Sequence, residues 1–298
     1  MNIWIDQTAL AGEDTDLLRP GALYGLRRLI DLSHEVNFDP AELSPQQQRL
    51  IGNEGLSPSG SNRENSDALL SLNPKGGELE LRTGGTPSAT GTNWPELIQN
   101  YLFPVRKASG KRTTSETDCK ISLNIDGTGK SSIRTGLNFF DHMLEQIARH
   151  GLIDLELTCS GDLQVDEHHT IEDVAILLGE TIYEACGRDK TGIQRYGFLL
   201  PMDEARAEVS IDLSNRPYLV WDVSFGREYV GDFPLEMAEH FFHTLAMNLK
   251  ATLQIRAEGT NEHHKIESIF KGFARALRFA VTRTERARHI LPSSKGTL

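Results

Sequence analysis

Two copies of one pattern hold the residues whose types and spacing could do chemistry. They are Asp141-His142 with Glu167-His168-His169-Thr170-Ile171-Glu172, and Glu239-His240 with Glu262-His263-His264-Lys265-Ile266-Glu267. In each copy an acidic residue and a histidine are followed, 26 and 23 residues after that histidine, by a His-His pair whose first member precedes a glutamate by four. On a helix this spacing sets an imidazole and a carboxylate on one face. Imidazole and carboxylate together suit a divalent metal that accepts nitrogen and oxygen, Mn foremost, with Zn or Fe as alternatives. The three cysteines, Cys119, Cys159 and Cys186, form no CxxC pair, so neither a thiolate site nor a disulfide framework is expected.

Adjacent histidines serve one ion poorly, because neighbouring side chains diverge by about 100° on a helix. Two metals are therefore expected, with ligands exchanged between the copies. One set is His142, His169, His263 and Glu267; the other is His168, Glu172, His240 and His264. A lone histidine on a half-apolar helix is more often a packing or surface residue, and His34, His243 and His289 are read that way. The matched pair of HHxxE stretches is different, since coincidence would have to strike twice.

The elements that must position these residues follow from periodicity. From about residue 113, Cys119–Ile125 alternates as a half-buried strand, 137–150 runs at helical spacing, 152–157 alternates again, and 169–186 is a helix ended by Gly187. Strand-like stretches at 208–213 and 218–223 lead to helix 235–249, strand 251–255 and helix 264–281. The fold class is α+β, a tandem duplicated βα unit with two similar halves, sheets packed on helices. Residues 113–298 form this domain.

Residues 1–112 read as a short α/β region and linker. Ile3–Ile5 is a strand, and a helix with apolar Ala22, Leu23, Leu26, Leu29 and Ile30 is opened by Pro20. The stretch 57–92, poor in large apolar residues and rich in Ser, Gly, Asn and Pro, is expected to be loop or disorder. A helix covers 94–102, and the charged run 107–112 is expected to be a solvated linker. With a net charge of −11, no nucleic-acid or anionic-membrane partner is expected. No apolar run reaches the roughly 18 residues of a spanning helix and residues 1–6 do not read as an export signal, so the expected location is cytoplasmic.

Several motifs resemble those of imidazoleglycerol-phosphate dehydratases. They are Phe139-Phe140-Asp141-His142-Met143-Leu144, the first HHTIED stretch, Pro201-Met202-Asp203-Glu204-Ala205, Glu239-His240-Phe241-Phe242 and Pro292-Ser293-Ser294-Lys295-Gly296. The resemblance implies dehydration of imidazole-glycerol phosphate to imidazole-acetol phosphate and water in histidine biosynthesis, through a dimanganese-bound imidazolate that expels the neighbouring hydroxyl. It implies two Mn2+ per active site, and substrate contacts from Glu116, Arg195, Arg216, Lys271, Ser293, Ser294 and Lys295. Glu116, with His150 second to it, is the candidate for proton transfer. It also implies self-association into trimers and a 24-subunit assembly whose sites are completed by neighbouring chains.

Residues 1–112 in turn resemble a degenerate haloacid-dehalogenase-like histidinol phosphatase, as found fused ahead of some of these dehydratases. Asp6 matches the nucleophile, but Thr8 stands where the general acid belongs, and no cysteine precedes Cys119 to build a zinc loop. Residual histidinol-phosphatase activity, a dinuclear metallohydrolase acting on esters or amides, and a non-enzymatic metal store are the alternatives.

Overall fold

The structure is a computed structural model that describes residues 1–12, 16–58, 62–188, 190–197 and 199–298. The chain divides into two compact units, Met1–Pro104 and Val105–Leu298. No helix among the described residues is long and apolar enough to cross a membrane.

In the first unit, β1 (Asn2–Ile5) is followed by α1 (Gln7–Leu10), α2 (Ala22–Asp31), β2 (Glu35–Asn37) and α3 (Pro45–Asn53). Then come β3 (Ala68–Leu72), β4 (Leu79–Thr83), β5 (Thr86–Gly91) and α4 (Trp94–Leu102). The sheet order is β2-β1-β3-β4-β5, parallel through β2, β1 and β3 and antiparallel beyond. Helix α2 starts at Ala22 behind Gly21, whose φ of 80° no branched residue would accept, so Pro20 lies just outside the helix rather than in its first turn. Trp94 is fully buried and its indole N–H donates to the Ala9 carbonyl at 2.9 Å. A Cβ at Gly25 would lie 1.9 Å from that indole ring, so glycine there lets α2 close over it.

Much of the stretch expected to be loop is sheet. Residues 59–61 lie outside the described residues, but Leu70, Leu79 and Leu81 are buried, and Glu80 is held by Asn73 and by Arg82 Nη2 at 2.6 Å. The Asn73–Gly77 turn is the tight connection of the β3–β4 hairpin. Leucines at period two on β3 and β4, with Ala89 on β5, suffice to anchor three short strands.

The second unit begins with β6 (Lys107–Thr113), β7 (Thr117–Asn124), β8 (Ser131–Arg134), α5 (Asn138–Gly151), β9 (Asp154–Gly161) and α6 (His168–Cys186). It continues with β10 (Leu200–Met202), β11 (Ala205–Asp212), β12 (Tyr218–Asp222), the small hairpin β13 (Tyr229–Val230) and β14 (Phe233–Pro234), α7 (Glu236–Leu249), β15 (Thr252–Glu258) and α8 (Glu262–Val281). The sheet orders β6-β7-β9-β8 and β10-β11-β15-β12 are the same topology twice, each with two antiparallel pairings and one parallel. The duplication expected from the motif spacing is thus present in the fold. The charged run 107–112 is no linker: it forms edge strand β6, and Arg112 Nε meets the buried Asp173 carboxylate at 2.5 Å. The unit boundary accordingly falls at 104/105 rather than 112/113.

Each sheet alternates buried and exposed residues, and its apolar face meets helices. Helix α6 packs on α7 and α5 on α8, so each helix pair joins the two halves. Fully buried Phe140, Phe241, Phe242, Phe270 and Phe273 fill the space between them, each worth on the order of 2–3 kcal/mol of apolar burial. Contrary to expectation, Cys119 and Cys159 face one another across β7 and β9 and are joined as a disulfide; Cys186 is free and buried.

Candidate metal centre

The helix pairing decides which ligands meet. His263 and Glu267, one turn apart at the start of α8, join His142 from the second turn of α5; His168 and Glu172 of α6 join His240 of α7. In each group the three donor atoms lie within 4.8 Å of one another. His263 Nε2 is 3.1 Å from Glu267 Oε2, and the His168 and His240 rings are 4.6 Å apart. Each group therefore draws on both halves of the unit.

His169 and His264, the fourth members of the predicted sets, lie outside both groups. Their rings are nearly perpendicular to those of their neighbours His168 and His263, at 75° and 85°. His169 Nδ1 is 3.2 Å from both carboxylate oxygens of Asp162, and His264 Nδ1 is 2.8 Å from Glu204 Oε2. An ionised carboxylate only accepts, so each Nδ1 carries the proton and each Nε2 lone pair is left for a ligand. The hydrogen bond that His169 donates to Asp162 raises the pKa of His169, against burial and with help from the charge of Glu116. Glu204 likewise raises that of His264, and His264 with the Asn261 amide holds the Glu204 carboxyl down at about 2.

These residues fit a divalent cation. His240 Nε2 is buried and makes no hydrogen bond, although Glu172 Oε1 stands 3.3 Å away, and both residues belong to the group whose donor atoms lie within 4.8 Å of one another. Burial pushes the Glu267 carboxyl up, but Lys271, His142 and His263 outweigh it and keep the group below its ordinary value, ionised. Two imidazoles and one carboxylate per group, with no thiolate, are the donors of nitrogen- and oxygen-liking metals.

The candidate substrate residues divide. Arg195, Arg216, Ser293, Ser294 and Lys295 line one cavity of about 660 Å³ with Ser214, Asn215, Pro292, Thr297 and Leu298. Arg195 is fixed there by a two-pronged contact with Asp212, by the Pro292 carbonyl at 2.9 Å, and by a backbone with φ of 79°. A non-glycine residue held in that region is strained, and such strain gathers at functional sites. Lys271 is not in the cavity: its Nζ sits 2.7 Å from Glu267 Oε1. Glu116, at the β6–β7 turn, places Oε1 3.8 Å from His169 Nε2. His150, in the last turn of α5, is outside both groups; burial, then the charges of Lys271 and Arg275, lower its pKa.

Sequence reasoning passed over Asp162 and Glu204 as partners of the second histidines. The signal was available for Glu204, which stands one residue before β11 as Glu116 stands one before β7.

The model of the imidazoleglycerol-phosphate dehydratase family matches residues 135–277. Proteins described as "Histidine biosynthesis bifunctional protein HisB" are similar: that of Spirosoma linguale is 52% identical over 206 residues, 69% of this chain and 54% of that protein. That of Bacteroides fragilis is 53% identical over 207 residues, 70% and 55%. The chain thus spans about half the length of the curated relatives it matches. Among solved structures, the imidazoleglycerol-phosphate dehydratase of Staphylococcus aureus superposes with a TM-score of 0.54 at 38% identity, covering 60% of this chain and 99% of that one. The Pyrococcus furiosus enzyme gives 0.53 at 35%, covering 63% and 100%. With the duplicated halves and crossed histidine groups, these likenesses show that the chain belongs to the imidazoleglycerol-phosphate dehydratase family.

Proposed function

We propose that the second unit converts imidazole-glycerol phosphate to imidazole-acetol phosphate and water in histidine biosynthesis, with two Mn2+ per active site. The observation that carries the reading is the pair of crossed His/Glu groups, one holding the unpartnered His240 Nε2, on helices of a dehydratase-family fold. His142, His263 and Glu267 would hold one ion and His168, Glu172 and His240 the other, each completed by the free Nε2 of a His169 or His264. Bound there, the ions would act as Lewis acids that make the substrate ring's N–H acidic, which is the electron source this elimination needs.

The chain's own residues supply the rest. Arg195, Arg216 and Lys295, with the hydroxyls of Ser293 and Ser294, offer charge-assisted donors matched to a phosphate monoester. Lys271 keeps Glu267 ionised and in place. Glu116, exposed at the rim beside His169, is the proton carrier for the glycerol carbon.

The arrangement also supports self-association. Glu204, which holds His264, and Asp212, which holds Arg195, bracket strand β11, so about 25 Å of extended chain separates the two. A small substrate cannot span that distance. A complete site would therefore combine the cavity of one copy with histidines of another, in the trimer-built 24-subunit assembly expected from the family. Assay of imidazole-glycerol phosphate dehydration, with metal analysis of the same sample, tests the reading: turnover that is lost on chelation and restored by Mn2+ is expected, and turnover indifferent to metal would overturn it.

A further inference from the structure

The two histidine groups are alike in ligands but not in support. Between β8 and α5 the first half has three residues, 135–137; between β12 and α7 the second half has thirteen, 223–235. The longer segment is anchored at two places. At one end the Gly226 amide donates to Glu262 Oε1 at 2.7 Å, and Lys265 Nζ donates to the Ser224 carbonyl at 3.0 Å and to Glu262 Oε2 at 2.8 Å. Glu262 and Lys265 flank His263 and His264 in the first turn of α8, and Lys265 is 93% buried.

At the other end Asp232, in the β13–β14 turn, accepts from the backbone N–H groups of Asn138 and Phe139, at 2.7 and 2.8 Å. It thereby caps α5, whose own N-cap residue, Leu137, has no side-chain acceptor. Phe139 carries the contact to the metal group, with its ring 5.3 Å from that of His263 and 6.3 Å from that of His142; Phe233, from the same segment, packs behind it at 6.2 Å. The other group lacks this arrangement. The N-terminus of α7, which carries His240, has no side-chain cap, and among the described residues the segment makes no hydrogen bond to α6.

We propose that residues 223–235 are a strap that holds α5 and α8 in register at His142, His263 and Glu267, so that this group binds its divalent cation more tightly than His168, Glu172 and His240 do. The inference rests on the metal reading above. Holding donors at fixed spacing removes the ordering that binding would otherwise require, and partners behind metal ligands are typically worth about 10–100-fold in affinity.

The test is titration of the metal-free full chain with Mn2+ in two backgrounds. His240→Ala leaves the strapped group intact, and His142→Ala leaves the other. Adding Asp232→Ala is expected to weaken Mn2+ binding about tenfold or more in the first background and less than about twofold in the second. Should Asp232→Ala melt near the assay temperature, Lys265→Met at the opposite anchor gives the same reading. Equal losses in both backgrounds, or none in the first, would overturn the strap while leaving the metal reading intact. Failure of the unaltered chain to bind Mn2+ at all would overturn both.

Discussion

His169 and His264 each give Nδ1 to a carboxylate, and those contacts raise both imidazoles above their ordinary value of 6.5. In the metal-free chain this favours the folded state while both rings are charged, and the contribution is lost as pH rises through their raised folded values. Metal works in the opposite sense, because a ligating imidazole must shed its proton. Mn2+ affinity should therefore fall as pH is lowered from about 8 to about 6, starting at higher pH than for unperturbed histidines, and binding should release protons. Glu204→Gln removes the largest cause of the shift at His264. Calorimetric titrations at several pH values should show its loss of affinity displaced to lower pH; an unchanged midpoint would mean that the Glu204 contact does not control His264.

At the scale of elements, the helix pairs bring the donors together, and α6 can approach α7 closely because it carries Gly179. A Cβ there would stand 2.9 Å from the Leu245 carbonyl oxygen and 3.0 Å from the Leu249 amide nitrogen, backbone atoms that cannot swing aside. Gly179→Val should destabilise the second unit by about 1–3 kcal/mol and weaken metal binding at His168, Glu172 and His240 more than at the other group. Thermal melts and Mn2+ titration read both effects. The four long helices were legible in the sequence because apolar residues recur over four or five turns, and HHxxE twice marked residues that the fold gathers into the two His/Glu groups. Strand β6 was not, since its inward positions are Ala108, Gly110 and Arg112, none of them a large apolar residue, and its outward lysines look like linker; a Cβ at Gly110 would come 2.8 Å from Leu177 on α6. Spacing also told that adjacent histidines diverge, but not what each would face. That depends on Asp162 and Glu204, one on the loop after β9 and the other at the turn before β11.

At the scale of the whole molecule, each unit has a hydrophobic core of its own. In the first, Asp6 Oδ1 accepts from the Thr8 amide and hydroxyl, and Oδ2 lies 3.4 Å from Arg63. Asp6 thus serves as a helix cap beside a residue that cannot donate a proton as an acid, and no Mg2+-dependent phosphate release from histidinol phosphate is expected. Removing residues 1–104 should leave dehydration intact, whereas removal through 113 strips β6 and the Arg112 partner of buried Asp173 and should lower stability and activity together. The deeper question is whether one chain contains a whole site. Arg195→Ala disables the anion cavity and His263→Ala a histidine group, so each variant alone should be inactive. If cavity and histidines of one site come from different copies, dissociating and reassembling the two variants as an equal mixture should restore up to about a quarter of the unaltered activity, the chance that both contributors are intact. If one chain supplied both, no mixture could recover any, because every site would carry one lesion or the other.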